Sequence, residues 1–232
     1  MKNILICGSS KNLGKYISEQ LNIDYNVINI SRSISQKESF YKLDLRDEKK
    51  TRQIFKKIKK KYKVIDTIIF SVGNSKKNYE ENPNVNNFNN AFNDNFFSFV
   101  NLINSSLEIF SNNNLNIIAI SSIAGLRNIN APITYSLAKN ALNFYCNIMA
   151  KKLIKNKIRL NVISPGNILI KNNNWDKKIK KNKKKIYSYI NSNVPSGKFC
   201  HPEEILNVCK LFIENKNNLV GSNIVIDGGQ IL

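Results

Sequence analysis

Three residues of types that can move a proton and hold an oxygen fall close together in this 232-residue chain: Ser122, Tyr135 and Lys139. Tyr135 and Lys139 are four apart, so on a helix they sit one above the other on the same face. A phenol with a pKa near 10 is a poor proton shuttle at neutral pH, and a fixed cation beside it favours the charged form. Bringing that pKa toward 7 takes about 4 kcal/mol of differential stabilisation, and Lys139 is its expected source. A serine at the end of a preceding strand could face the pair and polarise a carbonyl. The chemistry this grouping suits is proton transfer at the oxygen of a carbonyl group. A Tyr-x-x-x-Lys pair arises readily by chance in a lysine-rich chain, so the elements that position it must carry the argument.

The run 117–120 reads as an apolar strand ending at Ser121-Ser122, with a helix opening around Pro132 that carries Tyr135 and Lys139. Upstream, 4–7 reads as a short buried strand. It runs into Gly8-Ser9-Ser10-Lys11-Asn12-Leu13-Gly14 and then a helix to about Leu21. Strand, glycine turn and helix N-terminus together make an anion site, because unpaired backbone N–H groups face a phosphate. Gly8 suits the tight turn and Gly14 close packing, while Asn12 takes a position where glycine is usual and tolerates positive φ. A second strand over 27–30 ends at Ser31-Arg32. No acid stands there to bind ribose hydroxyls. Arg32, with Lys11 in the glycine loop, suits a 2′-phosphate instead.

Leu43-Asp44-Leu45 reads as the end of a third strand, with Asp44 placed to accept from an adenine amine. A lysine-rich helix spans about 47–62, and a fourth strand over 66–70 leads to Gly73, where a cofactor can approach the backbone. The segment 74–85 reads as polar loop, followed by one long helix to Phe110 that carries Asn95. A strand over 158–163 ends at Ser164-Pro165-Gly166, 202–214 reads as a helix, and 223–226 as a last strand before Asp227-Gly228-Gly229. Seven strands alternating with helices predict an α/β protein: a single Rossmann domain over 1–232 with a doubly wound parallel sheet. Residues 167–200 are expected to form a segment covering the substrate.

Composition narrows the classes. Lys and Arg number 36 against 16 Asp and Glu, a formal charge of +20, which by itself suggests nucleic acid, an anionic membrane surface or acidic substrates. The lysines are scattered over most of the expected helices with no arginine-and-aromatic pattern, and Lys, Asn and Ile are abundant together. That combination reads as drift in an AT-rich genome, so no specific nucleic-acid partner is expected. One histidine, His201, makes a serine–histidine hydrolase or a histidine-based metal site hard to build, and no metal is expected. Cys7, Cys146, Cys200 and Cys209 show no C-x-x-C spacing. With a first segment that reads as a strand rather than a signal peptide, and no apolar run of membrane-spanning length, they point to a cytoplasmic chain.

Taken together, Gly8-x-x-x-Asn12-x-Gly14, Asp44-Leu45, Gly73, Asn95, Ser122, Tyr135-x-x-x-Lys139, Pro165-Gly166 and Asp227-Gly228-Gly229 resemble the short-chain dehydrogenase/reductase pattern, over essentially the whole chain. The resemblance implies an NADPH/NADP+-dependent oxidoreductase in which Tyr135 donates a proton to a carbonyl oxygen as hydride reaches its carbon. It implies that Lys139 lowers the phenol pKa and binds the nicotinamide ribose, that Ser122 holds the substrate oxygen, and that Asn95 orders a water for proton relay. It implies cofactor contacts at Gly8, Ser10, Lys11, Asn12, Leu13, Gly14, Arg32, Asp44, Leu45, Gly73, Tyr135, Lys139, Pro165 and Gly166. Ile170 stands where a threonine commonly touches the nicotinamide amide, and Phe70-Ser71-Val72 where Asn-Asn-Ala is usual.

Within the family the chain is similar both to 3-oxoacyl-[acyl-carrier-protein] reductases and to reductases of surface-polysaccharide gene clusters. The substrate implied is a small-molecule or carrier-linked carbonyl compound. Lysines over 177–185 suit an anionic one but do not separate the two types. The apolar content of the helices over 84–110 and 132–152 implies a homodimer or homotetramer. The alternative is an NADP(H)-sensing binding or regulatory protein whose basic surface holds a polyanion.

Overall fold

The computed structural model describes residues 1–33, 39–75, 82–111, 114–214 and 218–232. Its strands are β1 (Asn3–Cys7), β2 (Asn26–Ser31), β3 (Phe40–Lys42), β4 (Thr67–Phe70), β5 (Asn116–Ile120), β6 (Arg159–Pro165) and β7 (Asn223–Ile226). They form one parallel sheet in the order β3-β2-β1-β4-β5-β6-β7. The order reverses between β1 and β4, and a crevice opens there at the C-terminal ends of the strands.

Strands β1, β2, β4, β5 and β6 are buried on both faces, as a parallel sheet covered by helices demands, while the edge strands β3 and β7 are partly exposed. Alternate residues feed two cores. Leu5, Ile28, Ile68 and Ile117 point to the face packed by α2 (Glu48–Tyr62), α4 (Ser98–Phe110) and α5 (Ile133–Leu153), through Phe55, Phe99 and Leu142. Ile4, Ile6, Ile69 and Ile118 point to the face packed by α1 (Asn12–Leu21) and α8 (Pro202–Glu214). On α1 the stripe Leu13, Ile17 and Leu21 is buried at four-residue spacing, each side chain contributing about 1.5–3 kcal/mol. Helices α6 (Asn174–Lys181) and α7 (Lys183–Asn193) build a third, separate core from Ile186, Ile190, Val194 and Phe199, with Trp175 and Tyr189 against it.

The sheet and helix boundaries differ from the sequence reading at two places that matter for the site. Leu43-Asp44-Leu45 lies just beyond β3 rather than within it. The single long helix expected up to Phe110 is two: α3 (Val85–Phe92) and α4, separated by a π turn over Asn93–Phe97. Asn95 causes the break. Its side-chain amide donates to the Ala91 carbonyl at 2.9 Å, so side chain and backbone compete for one acceptor and the turn widens. Residues 76–81 of the expected 74–85 loop lie outside the described residues.

Candidate active site

β5 ends at Ile120, and Ser122 caps a single 3-10 turn over Ile123–Gly125, its hydroxyl oxygen accepting from the Ala124 N–H at 3.2 Å. That leaves the Ser122 O–H free to turn toward Tyr135, one turn into α5. Asn140 Nδ2 donates to the Gly125 carbonyl at 3.0 Å and ties α5 to this turn. Lys139 stands one turn beyond Tyr135 and is buried. Its ammonium donates to the Ile120 carbonyl at 3.1 Å and lies 5.9 Å from the centre of the Tyr135 ring. Ser122, Tyr135 and Lys139 therefore converge as the spacing predicts.

The electrostatics differ from the expectation. Burial pushes the Tyr135 pKa up, and the hydrogen bond from Ser122 only partly offsets it. Burial also pulls Lys139 down from its ordinary 10.5 to about 8. Burial is the dominant influence on the phenol, and Lys139, its ammonium 5.9 Å from the ring centre, stays protonated at neutral pH.

Asn95 does not reach the cleft surface. It is fully buried behind Gly73, where a Cβ would stand 3.3 Å from both Asn95 Oδ1 and Lys139 Nζ. Asn95 Oδ1 accepts from the Asn74 N–H at 2.9 Å, and Nδ2 donates to the Asn74 and Ala91 carbonyls. Both amide hydrogens are thus spent on the protein, and the oxygen is engaged by the Asn74 N–H.

A cleft of about 680 Å³ runs over the strand ends from β2 to β6. Every residue that the sequence assigns to the cofactor, from Gly8 to Gly166, lines it, and so does Ser122. Gly8 has φ +93 and Asn12 φ +47, both in the left-handed region. A Cβ at Gly14 would meet the Gly8 carbonyl oxygen at 2.2 Å, so the turn and the start of α1 touch backbone to backbone. The first-turn N–H groups of α1 consequently open into the cleft. Ser121 Oγ, which lines the cleft, is buried without a hydrogen-bond partner among the described residues, as a group awaiting a polar ligand would be. Lys11 and Arg32 make no ion pair among the described residues. A dinucleotide fits this lining: phosphate donors at α1, cations beyond β2, and a bare backbone at Gly73.

Sequence reasoning missed Arg46. Its guanidinium grips Asp44, with Nη2 2.6 Å from Oδ2, and reaches Asp94 at 3.4 Å, joining the β3 loop to the π turn. Burial raises the Asp44 carboxyl, but Arg46 and then Arg32 hold it below its usual value. An adenine amine at Asp44 would share the carboxylate with Arg46. The two-residue spacing of an acid and an arginine beyond a strand was the available signal.

Fold and cleft together define an α/β protein with a dinucleotide-shaped cleft at the C-terminal ends of its parallel strands. A family model described as Enoyl-(Acyl carrier protein) reductase matches residues 15–230, and the chain belongs to the short-chain dehydrogenase/reductase family. ElxO, solved with NADP bound, superposes with a TM-score of 0.88 at 27% identity, over 99% of this chain and 98% of that one. "Carbonyl reductase family member 4" of Xenopus laevis is 24% identical over 97% of this chain and 95% of that protein. The human "3-oxoacyl-[acyl-carrier-protein] reductase" is 27% identical over 113 residues, 49% of this chain, and the match spans only 44% of the human protein. Family members use nicotinamide cofactors. Among the described residues, no helix is long and apolar enough to cross a membrane.

Proposed function

We propose that this protein is an NADPH-dependent carbonyl reductase. The observation that carries the reading is the convergence of Ser122, Tyr135 and the buried Lys139 on one cleft whose other lining suits a dinucleotide. A bound nicotinamide supplies the hydride. Tyr135 gives its phenolic proton to the carbonyl oxygen, Ser122 donates a hydrogen bond to that oxygen, and the Lys139 ammonium stabilises the phenolate left behind. Asn95 acts behind them as a positioning residue, tying the Asn74 backbone beside Gly73 to the π turn. A phenol raised by burial is held as the acid at neutral pH, the form that reduction needs. Oxidation in reverse requires the phenolate and should gain rate as pH rises.

A binding or regulatory protein has no use for a buried lysine, whose desolvation costs stability, so the enzymatic reading is preferred. Lys11 and Arg32 favour NADPH over NADH by gripping the 2′-phosphate, and the separate core of α6 and α7 supports residues 167–200 as a cover over the substrate. Self-association is part of the proposal: α5 exposes Ile133, Leu137, Phe144 and Ile148, which recur at four- and seven-residue intervals along one stripe.

A paired titration with NADPH and NADH, followed by nicotinamide fluorescence, tests the cofactor reading. Wild type should bind NADPH more tightly than NADH by tenfold or more, and Arg32→Asp should erase most of that preference. Equal affinity of wild type for the two nucleotides would sink it.

A further inference from the structure

A second cavity, of about 440 Å³, opens beside the reaction cleft. The two meet at one loop: Gly166 and Ile168 line the cleft, and Asn167 between them lines the cavity. Gln230, from the C-terminal turn, closes the junction, its Oε1 standing 3.3 Å from where a Gly166 Cβ would lie. The cavity lining combines five amides, Asn128, Asn130, Asn167, Asn193 and Gln230, and the Tyr189 phenol with an apolar part from Ile129, Ala131, Trp175 and Ile186. Lys178 and Lys185 also line it, and among the described residues no carboxylate does.

Two of these groups are held in place. Trp175 stacks on Tyr189 with ring centres 5.6 Å apart, and the Lys178 ammonium lies 4.3 Å from the Trp175 ring, a contact that keeps a cation at the wall. The Tyr189 oxygen is approached at 3.4 Å by both Asn167 Nδ2 and Gln230 Nε2. With two N–H donors aimed at that oxygen, the phenol's own hydrogen is left to donate to an acceptor in the cavity.

A phenol donor with two ammonium groups recognises an anionic oxygen, and amides, each donor and acceptor at once, recognise hydroxyls. An alkyl chain would pack on Trp175 and Ile186 but would leave the amides and both ammonium groups without the partners that hydroxyls and an oxyanion supply. We propose that this cavity receives the part of the substrate remote from the reacting carbonyl, and that the substrate is a compact, multiply hydroxylated carbonyl compound carrying an anionic oxyacid group, held by Tyr189, Lys178 and Lys185. This rests on the carbonyl-reductase reading and narrows it away from long acyl thioesters.

Trp175 is the chain's one tryptophan, so its fluorescence reports on the cavity whether or not turnover occurs. The full chain, with NADP+ present, is titrated with ribulose monophosphate, ketogluconate, uncharged ribulose and an octanoyl thioester of N-acetylcysteamine. One or both anionic sugars should bind at least tenfold more tightly than ribulose and than the thioester, with the better of the two telling phosphate from carboxylate. Lys185→Gln and Tyr189→Phe should each weaken that binding about tenfold while keeping the wild-type melting temperature. Equal binding of ribulose and both anionic sugars, tightest binding of the thioester, or no effect of either substitution would overturn the inference. NADPH oxidation with diacetyl, a small ketone that needs no such cavity, reads the reductase activity separately. Its absence alongside the expected sugar binding would fell the reductase reading and leave the anionic-ligand cavity standing.

Discussion

Replacing Lys139 with methionine should abolish turnover and yet make the folded protein more stable at neutral pH. The lysine falls from 10.5 to about 8 because burial disfavours its charge, and at about 1.4 kcal/mol per decade that fall costs about 3 kcal/mol. Methionine fills a similar volume without the charge but forfeits the hydrogen bond to the Ile120 carbonyl, worth about 1 kcal/mol. The net expectation is a gain of about 2 kcal/mol, or about 4–8 °C in melting temperature for a chain of this size. The sign with pH follows from which state binds the proton more tightly. Below pH 8 the lysine is protonated in both folded and unfolded chains, and the full penalty is present. Between 8 and 10.5 the unfolded chain still holds the proton that the folded chain has released, so wild-type stability rises relative to the variant's. Paired thermal melts of wild type and Lys139→Met at pH 7 and near pH 10, without nucleotide, check this, since other titrating groups are common to both. A variant destabilised at pH 7, or an advantage that does not shrink toward pH 10, would refute the argument that Lys139 is kept for function at a cost to folding.

Asn95→Ala should lower stability by about 1–2 kcal/mol, because the buried side chain's hydrogen bonds to the Asn74 backbone are lost while the Ala91 carbonyl regains a backbone donor. Urea unfolding measures it, and a change below about 0.5 kcal/mol would mean that the π turn does not depend on this side chain. Phe144→Lys, at the most exposed apolar position of the α5 stripe, should shift light-scattering mass from dimer or tetramer to monomer without lowering the melting temperature of the monomer. A wild type that is already monomeric at micromolar concentration contradicts the self-association reading.

Most strands were legible because buried parallel strands are rich in isoleucine and valine and run into turns at the cleft such as those at Gly8, Gly73 and Gly166, whereas the short edge strand Phe40–Lys42 lacks that signal and was placed too late. Tyr135 and Lys139 were legible for a simpler reason: helix geometry fixes the relation of two residues four apart. What depends on partners distant in sequence was not legible. The break at Asn95 comes from a side chain competing for a backbone carbonyl, and asparagine is too common in this chain to announce it. The Asp44–Arg46–Asp94 cluster needs the π turn to bring Asp94 within reach. The direction of the Tyr135 shift depends on the balance of burial and charge, which spacing does not encode. The second cavity gathers amides from four segments that only the fold brings together.

The most direct test of the account is Tyr135→Phe, assayed for NADPH binding by nicotinamide fluorescence and for diacetyl reduction by NADPH oxidation. Removing only the phenolic oxygen should leave nucleotide affinity within about twofold of wild type and cut kcat by about a hundredfold to ten-thousandfold, the range for losing a general acid. A variant that binds NADPH normally and reduces the diketone at a rate within about threefold of wild type would contradict the assignment of Tyr135 as the proton donor.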